Sequence, residues 1–225
     1  MMHSKASDYE FVMDNVCCWK GNRRLFQHVS HTLTGGELVQ LEGHNGSGKT
    51  SLLRILAGLS VPEEGDVLWQ RQSIYQQPDA YRRIMLYIGH KTGLKDVLTA
   101  YENLAFYQRA EAAQAQPGDI DAALERIGLK GYEDRPVSQL SAGQQRRVVL
   151  ARLFLSRAVV WLLDEPFTAI DKQGVANLIA LFRQHCDQGG IVLFTSHQHA
   201  ADSGIRKITL HQQAESATEA QGAGA

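Results

Sequence analysis

The sequence predicts an α/β fold: a parallel core sheet, an antiparallel β-subdomain at its N-terminal end and a helical subdomain inserted in the sheet. Three observations predict it. A glycine-rich loop, Gly43 to Thr50, lies between a strand-like run, Glu37 to Glu42, and an apolar helix-like run, Ser51 to Gly58. Val159 to Leu163 and Ile191 to Phe194 are almost wholly apolar, as parallel strands buried on both faces are. Each of these two runs ends in polar residues, Asp164-Glu165 and Thr195-Ser196-His197. Carboxylates such as Asp164 and Glu165 at the carboxyl edge of a parallel strand sit where α/β sheets bind ligands.

The loop reads Gly43-His44-Asn45-Gly46-Ser47-Gly48-Lys49-Thr50 and fits G-x-x-x-x-G-K-[ST], the P-loop. A strand–loop–helix unit aims backbone N–H groups and the positive helix end at one spot, which suits a polyphosphate. Gly46 and Gly48 allow close backbone approach, and Ser51 opens the helix that follows. Lys49 is placed to reach the β- and γ-phosphates of a nucleotide such as ATP, and the Thr50 hydroxyl to ligate Mg²⁺. A glycine-rich turn matching by chance would lack the flanking strand and helix.

Composition narrows the class. The chain has 225 residues, 44% hydrophobic and 21% charged, enough for one well-buried domain with a small subdomain. A net charge of −1 supplies no field to attract nucleic acid or anionic lipid. The three cysteines show no metal-ligand spacing or disulfide framework, and a reducing, cytosolic setting fits them. Cys17 and Cys18 read as small apolar residues packed in a strand. The polar start, Met1 to Tyr9, does not read as a signal peptide. No apolar run approaches the roughly 20 residues that span a bilayer, so membrane attachment is expected through another protein.

In chain order, Tyr9 to Val16 and Leu25 to Leu33 read as strands joined at Lys20-Gly21-Asn22. Trp19, just before that turn, is either an adenine-stacking aromatic or a half-buried strand-end residue. Pro62-Glu63-Glu64-Gly65 reads as a turn, followed by strands at Asp66 to Gln70 and Ile84 to Ile88. Thr99 to Glu111 reads as a helix opened by a Thr99–Glu102 capping box. Ala110 to Gly118 reads as an exposed connection broken at Pro117-Gly118, and Asp119 to Ile127 as a helix stopped by Gly128. These helices interrupt the strand–helix alternation and define an insertion over about 92–157. Ser141 reads as the N-cap of a helix reaching about Arg157. Asp171 to Asp187 is a further helix and Ile205 to His211 a last short strand. The expected domain spans 1–211, and the Ala-, Gln- and Gly-rich stretch 212–225 reads as a disordered tail.

Taken together, GHNGSGKT, Leu140-Ser141-Ala142-Gly143-Gln144, VVWLLDEP, Thr168-Ala169-Ile170-Asp171 and His197 resemble the nucleotide-binding subunit of ABC transporters. The resemblance covers nearly all of the chain except the tail. The second motif matches that family's LSGGQ signature with Ala142 in place of the first glycine. Four phrases, NGSGKTSLLRILAGL, YIGHKTGL, LSAGQQRRVVLARL and LDEPFTAID, are similar to the CcmA branch of the family, the ATPases of cytochrome c maturation.

The resemblance implies roles. Asp164 would help hold Mg²⁺, through water, beside Thr50. Glu165 would act as general base or water-orienting group, and His197 would bond the γ-phosphate and sense its loss. It favours Trp19 as the adenine stack. Ser141, Gly143 and Gln144 would meet the γ-phosphate held by a second subunit, with Asp171 at the same seam. Two chains would thus sandwich two ATP molecules as a homodimer. His90 stands where most ABC ATPases carry a glutamine that touches Mg²⁺ or the attacking water. Neutral imidazole accepts a hydrogen bond from water but is a poor Mg²⁺ ligand. A role in positioning water is therefore expected for His90, against the plainer reading that it only caps a strand.

The resemblance also implies partners: a multi-span membrane subunit (CcmB-like), with CcmC- and CcmE-like proteins in the complex, on the cytoplasmic face of the inner membrane. The expected activity is ATP hydrolysis that drives release of a haem-loaded chaperone, or haem export, in c-type cytochrome biogenesis. The alternatives are the ATPase of a drug or lipid exporter, or a soluble ABC ATPase of DNA repair or translation. The single P-loop, the lack of a heptad insertion and the lack of a basic patch argue against the soluble class, and no nucleic-acid partner is expected.

Overall fold

A computed structural model describes residues 9–110, 117–196 and 204–210. The N-terminal part is an antiparallel sheet of four strands: β1 (Glu10–Lys20), β2 (Arg23–Thr34), β4 (Glu64–Trp69) and β5 (Gln72–Ser73), in the order β2-β1-β4-β5. The second sheet is wholly parallel. Its strands are β3 (Leu38–Glu42), β6 (Met85–Ile88), β7 (Val160–Leu163), β8 (Ile191–Thr195) and β9 (Arg206–Thr209), in the order β6-β7-β8-β3-β9. The helices are α1 (Lys49–Leu56), α2 (Pro78–Ile84), α3 (Ala100–Ala110), α4 (Pro117–Arg126), α5 (Ala142–Leu155) and α6 (Lys172–Asp187).

The strand order explains why the site forms where it does. Parallel strands share one carboxyl edge, so the segments after β3, β6, β7 and β8 leave the sheet on the same side. Those segments are the P-loop, Gly89-His90, Asp164-Glu165 and Thr195-Ser196. The run Val160 to Leu163 is buried at every position, as a central strand between two covered faces requires.

The core has three parts. One lies between the antiparallel sheet, α1 and one face of the parallel sheet, with Phe11, Phe26, Leu52, Leu41 and Leu162 among its residues. The second covers the opposite face, where α5 and α6 supply Val149, Leu153 and Phe182 against Trp161, Leu163 and Phe194. The third joins α3, α4 and α5 through Leu104, Leu124 and Val148. Helix α5 thus packs on two sides at once. Its apolar residues run around much of its circumference, unlike the single stripe of a surface helix.

Several local expectations shift. The hairpin strands are longer than their apolar cores, because β-pairing continues through polar residues to the Gly21-Asn22 turn. Gly65 lies inside β4 and not in a turn. A side chain there would come within 2.3 Å of the Asn15 carbonyl, where β1 bulges. The helix α2, ahead of β6, has too short an apolar pattern to read in isolation. Its Tyr81 is nonetheless buried, and its hydroxyl donates to the Leu56 carbonyl at 2.7 Å. Pro117 opens α4, since a proline at the first helical position loses no hydrogen bond. Thr99 and Glu102 form the expected reciprocal cap on α3, at 2.9 and 3.0 Å. Cys17 and Cys18 are buried free thiols in β1. The tail lies outside the described residues.

Among the described residues, burial pushes down the pKa values of two histidines, His31 and His185, and the packing behind the shift is clearest at His185. His185, near the end of α6, stacks on Trp161 at 3.8 Å between ring centroids. Its Nε2 lies 3.0 Å from the Val159 carbonyl. A carbonyl only accepts, so the neutral ring carries its proton on Nε2. A Cβ on Gly190 would lie 2.1 Å from that nitrogen, so only glycine leaves room for the ring. Burial pushes the His185 pKa down, and the Val159 bond offsets this only in part. With the folded value below the unfolded one, near 6.5, its contribution is complete above about pH 6.5 and is lost as pH falls through the folded value. Thermal melting between about pH 7.5 and 5 is expected to show a falling midpoint, and His185→Gln to flatten that fall. An identical acid slope in the variant would assign it to other groups.

Candidate active site

The P-loop wraps the start of α1. Gly48 is the N-cap residue in a left-handed conformation (φ 98°), and no side chain caps the helix. The first N–H groups of α1 are therefore open to an anion. A Cβ at Gly48 would strike the Phe26 ring at 2.8 Å, and one at Gly43 the Ser47 hydroxyl at 2.6 Å. Both glycines are required by close packing as well as by backbone angle. Lys49 is buried, and its Nζ donates to the carbonyls of Gly43 at 2.6 Å and His44 at 3.2 Å. The loop's own oxygens hold the ammonium at the centre of the cradle.

Behind the loop lies a chain of oxygens. Thr50 Oγ1 donates to Asp164 Oδ2 at 2.9 Å, and Thr195 Oγ1 donates to Asp164 Oδ1 at 2.8 Å. The same Thr195 hydroxyl accepts the Glu165 N–H at 2.8 Å. Asp164 is almost wholly buried, and both of its carboxylate oxygens are engaged by hydroxyls. Glu165 sits in the left-handed region (φ 50°), uncommon for a residue with a side chain. The turn sends the chain away from the sheet as soon as the strand ends.

These groups border a cavity of about 590 Å³. Its lining includes Asn45, Gly46, Gly48, Lys49, Thr50, Ser51, His90, Asp164 and Glu165. His90 is exposed and reaches the cavity from the segment after β6. Gly43 and His44 contribute backbone oxygens to Lys49, and Ser47 is fully buried beneath the loop. The volume lies in the range of small-molecule sites. Two hard oxygen donors, Thr50 Oγ1 and Asp164 Oδ2, touch each other at its floor. That pair fits Mg²⁺, which takes one or two protein oxygens and completes its shell with phosphates and water. Among the described residues no cluster of three or more His, Cys, Asp or Glu competes for a metal.

Lys20, Arg23 and Leu25, from the β1–β2 hairpin, also line the cavity and were not anticipated. Two basic residues flanking a turn were the available signal. Trp19 is not part of the lining. It is 41% exposed, and the Arg24 guanidinium lies 4.7 Å from the centre of its ring. Thr195 was read only as the end of a strand, but it joins Asp164 to Glu165. His197 lies outside the described residues.

The signature residues stand apart from this cavity. Ser141 caps α5: its hydroxyl accepts from Gln144 N at 3.3 Å, while Gln144 Oε1 accepts from Ser141 N at 2.9 Å. A Cβ on Gly143 would approach the Ala169 carbonyl at 3.1 Å, so this glycine allows the helix tip to lie against the 168–171 turn. Asp171 caps α6 through the Gly174 N–H at 2.7 Å and pairs with Arg147 at 3.1 Å. It borders a separate cavity of about 310 Å³ between α4, α5 and α6. None of Ser141, Gly143, Gln144 or Asp171 lines the P-loop cavity of the same chain.

Comparison with known proteins agrees with this geometry. The family model described as ABC transporter matches residues 26–168. The chain is 51% identical over 202 residues to the cytochrome c biogenesis ATP-binding export protein CcmA of Haemophilus influenzae, covering 90% of this chain and 95% of the relative. It is 54% identical over 200 residues to the CcmA of Escherichia coli strain K12, covering 88% and 94%. A putative ABC transporter ATP-binding protein from Pyrococcus furiosus superposes with a TM-score of 0.78 at 20% identity, covering 91% of this chain and 98% of that one. The dimeric ATP-binding cassette MJ0796, in a post-hydrolysis state with ADP and Pi, gives 0.78 at 24% identity, covering 90% and 94%. These two structures support the fold. ABC ATP-binding proteins are ATPases, and this chain belongs to that family, in its CcmA group of cytochrome c biogenesis ATP-binding export proteins.

Proposed function

We propose that the chain binds ATP with Mg²⁺ in the 590 Å³ cavity and hydrolyses it for a membrane complex of c-type cytochrome biogenesis. The observation that carries this reading is the Thr50–Asp164 contact at 2.9 Å, with Glu165 on the next backbone position and Lys49 in the adjoining cradle. Phosphoryl transfer needs little covalent help from a protein; positioning and charge stabilisation do most of the work.

Lys49 exchanges its loop carbonyls for the β- and γ-phosphate oxygens, and the open N–H groups of α1 hold the rest. Thr50 and, through water, Asp164 would hold Mg²⁺, which would supply neutralisation of the phosphate charge. Glu165 takes the proton of, or orients, the attacking water. His90, which also lines the cavity, offers that water a second hydrogen-bond acceptor, and His197 bonds the γ-phosphate. Trp19, beside the basic hairpin residues, stacks on the adenine.

Ser141, Gly143 and Gln144 form a helix tip with no phosphate of its own to hold. They meet the nucleotide of a second copy, with Asp171 at the same seam, so the working form is a homodimer around two ATP molecules. The similar cassette MJ0796 is described as dimeric, which supports this arrangement. No helix among the described residues is long and apolar enough to cross a membrane. The proposed partner is a multi-span subunit of the CcmB kind, with CcmC- and CcmE-like proteins, at the cytoplasmic face of the inner membrane. Closure on ATP and opening after hydrolysis would drive release of the haem-loaded chaperone, or haem export. Isolation of the chain from membranes together with a multi-span protein, and loss of c-type cytochromes on deletion of its gene, are the expected results. Unchanged cytochromes would remove this assignment and leave the ATPase reading in place.

His90→Gln tests the cavity's least usual member. Glutamine offers an amide oxygen, a harder donor than imidazole nitrogen. ATP affinity is expected to stay within about twofold and turnover to change by roughly 3- to 30-fold, a modest share of general acid–base effects. Phosphate release and nucleotide titration measure the two quantities. Identical turnover would reduce His90 to a strand cap.

A further inference from the structure

We infer that Arg146 is a positioning residue for hydrolysis, a strut through which the signature helix sets Glu165 and the His90 segment. The inference rests on the ATPase reading above and deepens it. Arg146 lies in the second turn of α5, five positions after Ser141, and is only 5% exposed. A buried guanidinium is costly unless its donors are satisfied, and a carboxylate is the usual partner. Here the partners are backbone carbonyls. One terminal nitrogen donates to Asp164 O and Glu165 O, both at 2.8 Å, and the other donates to Gly89 O at 3.0 Å.

Those three carbonyls belong to the two segments that carry the chemistry. Gly89 is the residue before His90. Asp164 and Glu165 are the proposed metal and base residues; Thr50 and Thr195 hold the Asp164 carboxylate, and Thr195 accepts the Glu165 backbone N–H. The Glu165 backbone has a left-handed φ of 50°. Such an angle persists only where the surroundings over-determine it. Thr195 holds the Glu165 N–H from one side and Arg146 its carbonyl from the other.

The strut also has a lever. Helix α5 is packed into both the helical cluster and the core beneath the parallel sheet. Its tip carries Ser141, which does not line the P-loop cavity of its own chain. When a second copy's nucleotide engages that tip, displacement of α5 reaches the Gly89 and Glu165 carbonyls through one rigid planar group. A lysine keeps the charge but not the fork, so it cannot hold three acceptors on two segments in fixed geometry.

The test uses the full chain with Mg²⁺ and ATP. Arg146→Lys is expected to lower kcat at least tenfold, with KM and ADP affinity within about twofold of wild type. Ser141→Ala combined with Arg146→Lys is expected to be no worse than the poorer single variant, as for two parts of one device. A kcat within twofold of wild type overturns the inference. So does a fall in kcat matched by equal losses of nucleotide affinity and melting temperature, which marks a merely structural arginine. Should the lysine variant not fold, hydrogen exchange on the unaltered chain decides. With Mg²⁺ and a non-hydrolysable ATP analogue, segments 141–146, 89–91 and 164–168 are expected to gain protection together, and protection of one without the others overturns the strut. Glu165→Gln, assayed alongside, tests the ATPase reading itself and does not depend on Arg146.

Discussion

Glu165→Gln is expected to lower ATP turnover by about 10²- to 10⁴-fold, the span typical of a positioned general base. Affinity for ATP is expected to remain close to wild type. The substitution removes a proton acceptor and preserves shape. The interactions that set the backbone here, Thr195 Oγ1 to Glu165 N and Arg146 to Glu165 O, do not involve the side-chain carboxylate and survive the change. The metal oxygens, Thr50 and Asp164, also survive. A variant that binds but does not hydrolyse would accumulate in the ATP-bound state, and the proposed dimer would then persist in ATP and dissociate in ADP. Size-exclusion chromatography in the two nucleotides and a phosphate-release assay read these outcomes. Turnover within a few-fold of wild type would place the base elsewhere.

Lys49→Ala is expected to abolish measurable turnover and to weaken nucleotide binding by roughly 10- to 150-fold. That range corresponds to one lost hydrogen bond to a charged group, about 1.5–3 kcal/mol. The fold itself is expected to hold, because the Lys49 ammonium donates to the Gly43 and His44 carbonyls of its own loop and to no other element among the described residues. The substitution even removes a buried cation. A melting temperature near wild type, with lost ATP affinity, is therefore the expected pair of results. A large loss of stability with unchanged affinity would assign Lys49 to the architecture of the loop.

The legible parts of this protein are those whose chemistry is local. The P-loop pattern, the Thr99–Glu102 cap, the Ser141 cap and the apolar strand ending in Asp164-Glu165 each depend on residues close together in the chain. Helix α2 was not legible, because Tyr81 gains its hold from the Leu56 carbonyl on another element. Gly65 was misread for a similar reason, since the need for glycine comes from the Asn15 carbonyl across the sheet. The hairpin residues Lys20 and Arg23 became site residues only when the antiparallel sheet packed beside the loop.

The sequence by itself determined the family, the phosphate cradle and the pair of carboxylates, because backbone spacing and side-chain type are enough to define them. Tertiary structure decided which atoms finish the site. Thr195 bridges Asp164 to Glu165, and Arg146 ties Gly89 to both, through contacts between residues 18 to 57 positions apart for the arginine and about 30 for the threonine. The partners of Arg146 are main-chain oxygens, which every residue type carries. No pattern of letters marks such acceptors, and only the order of strands in the parallel sheet brings them within reach of one guanidinium.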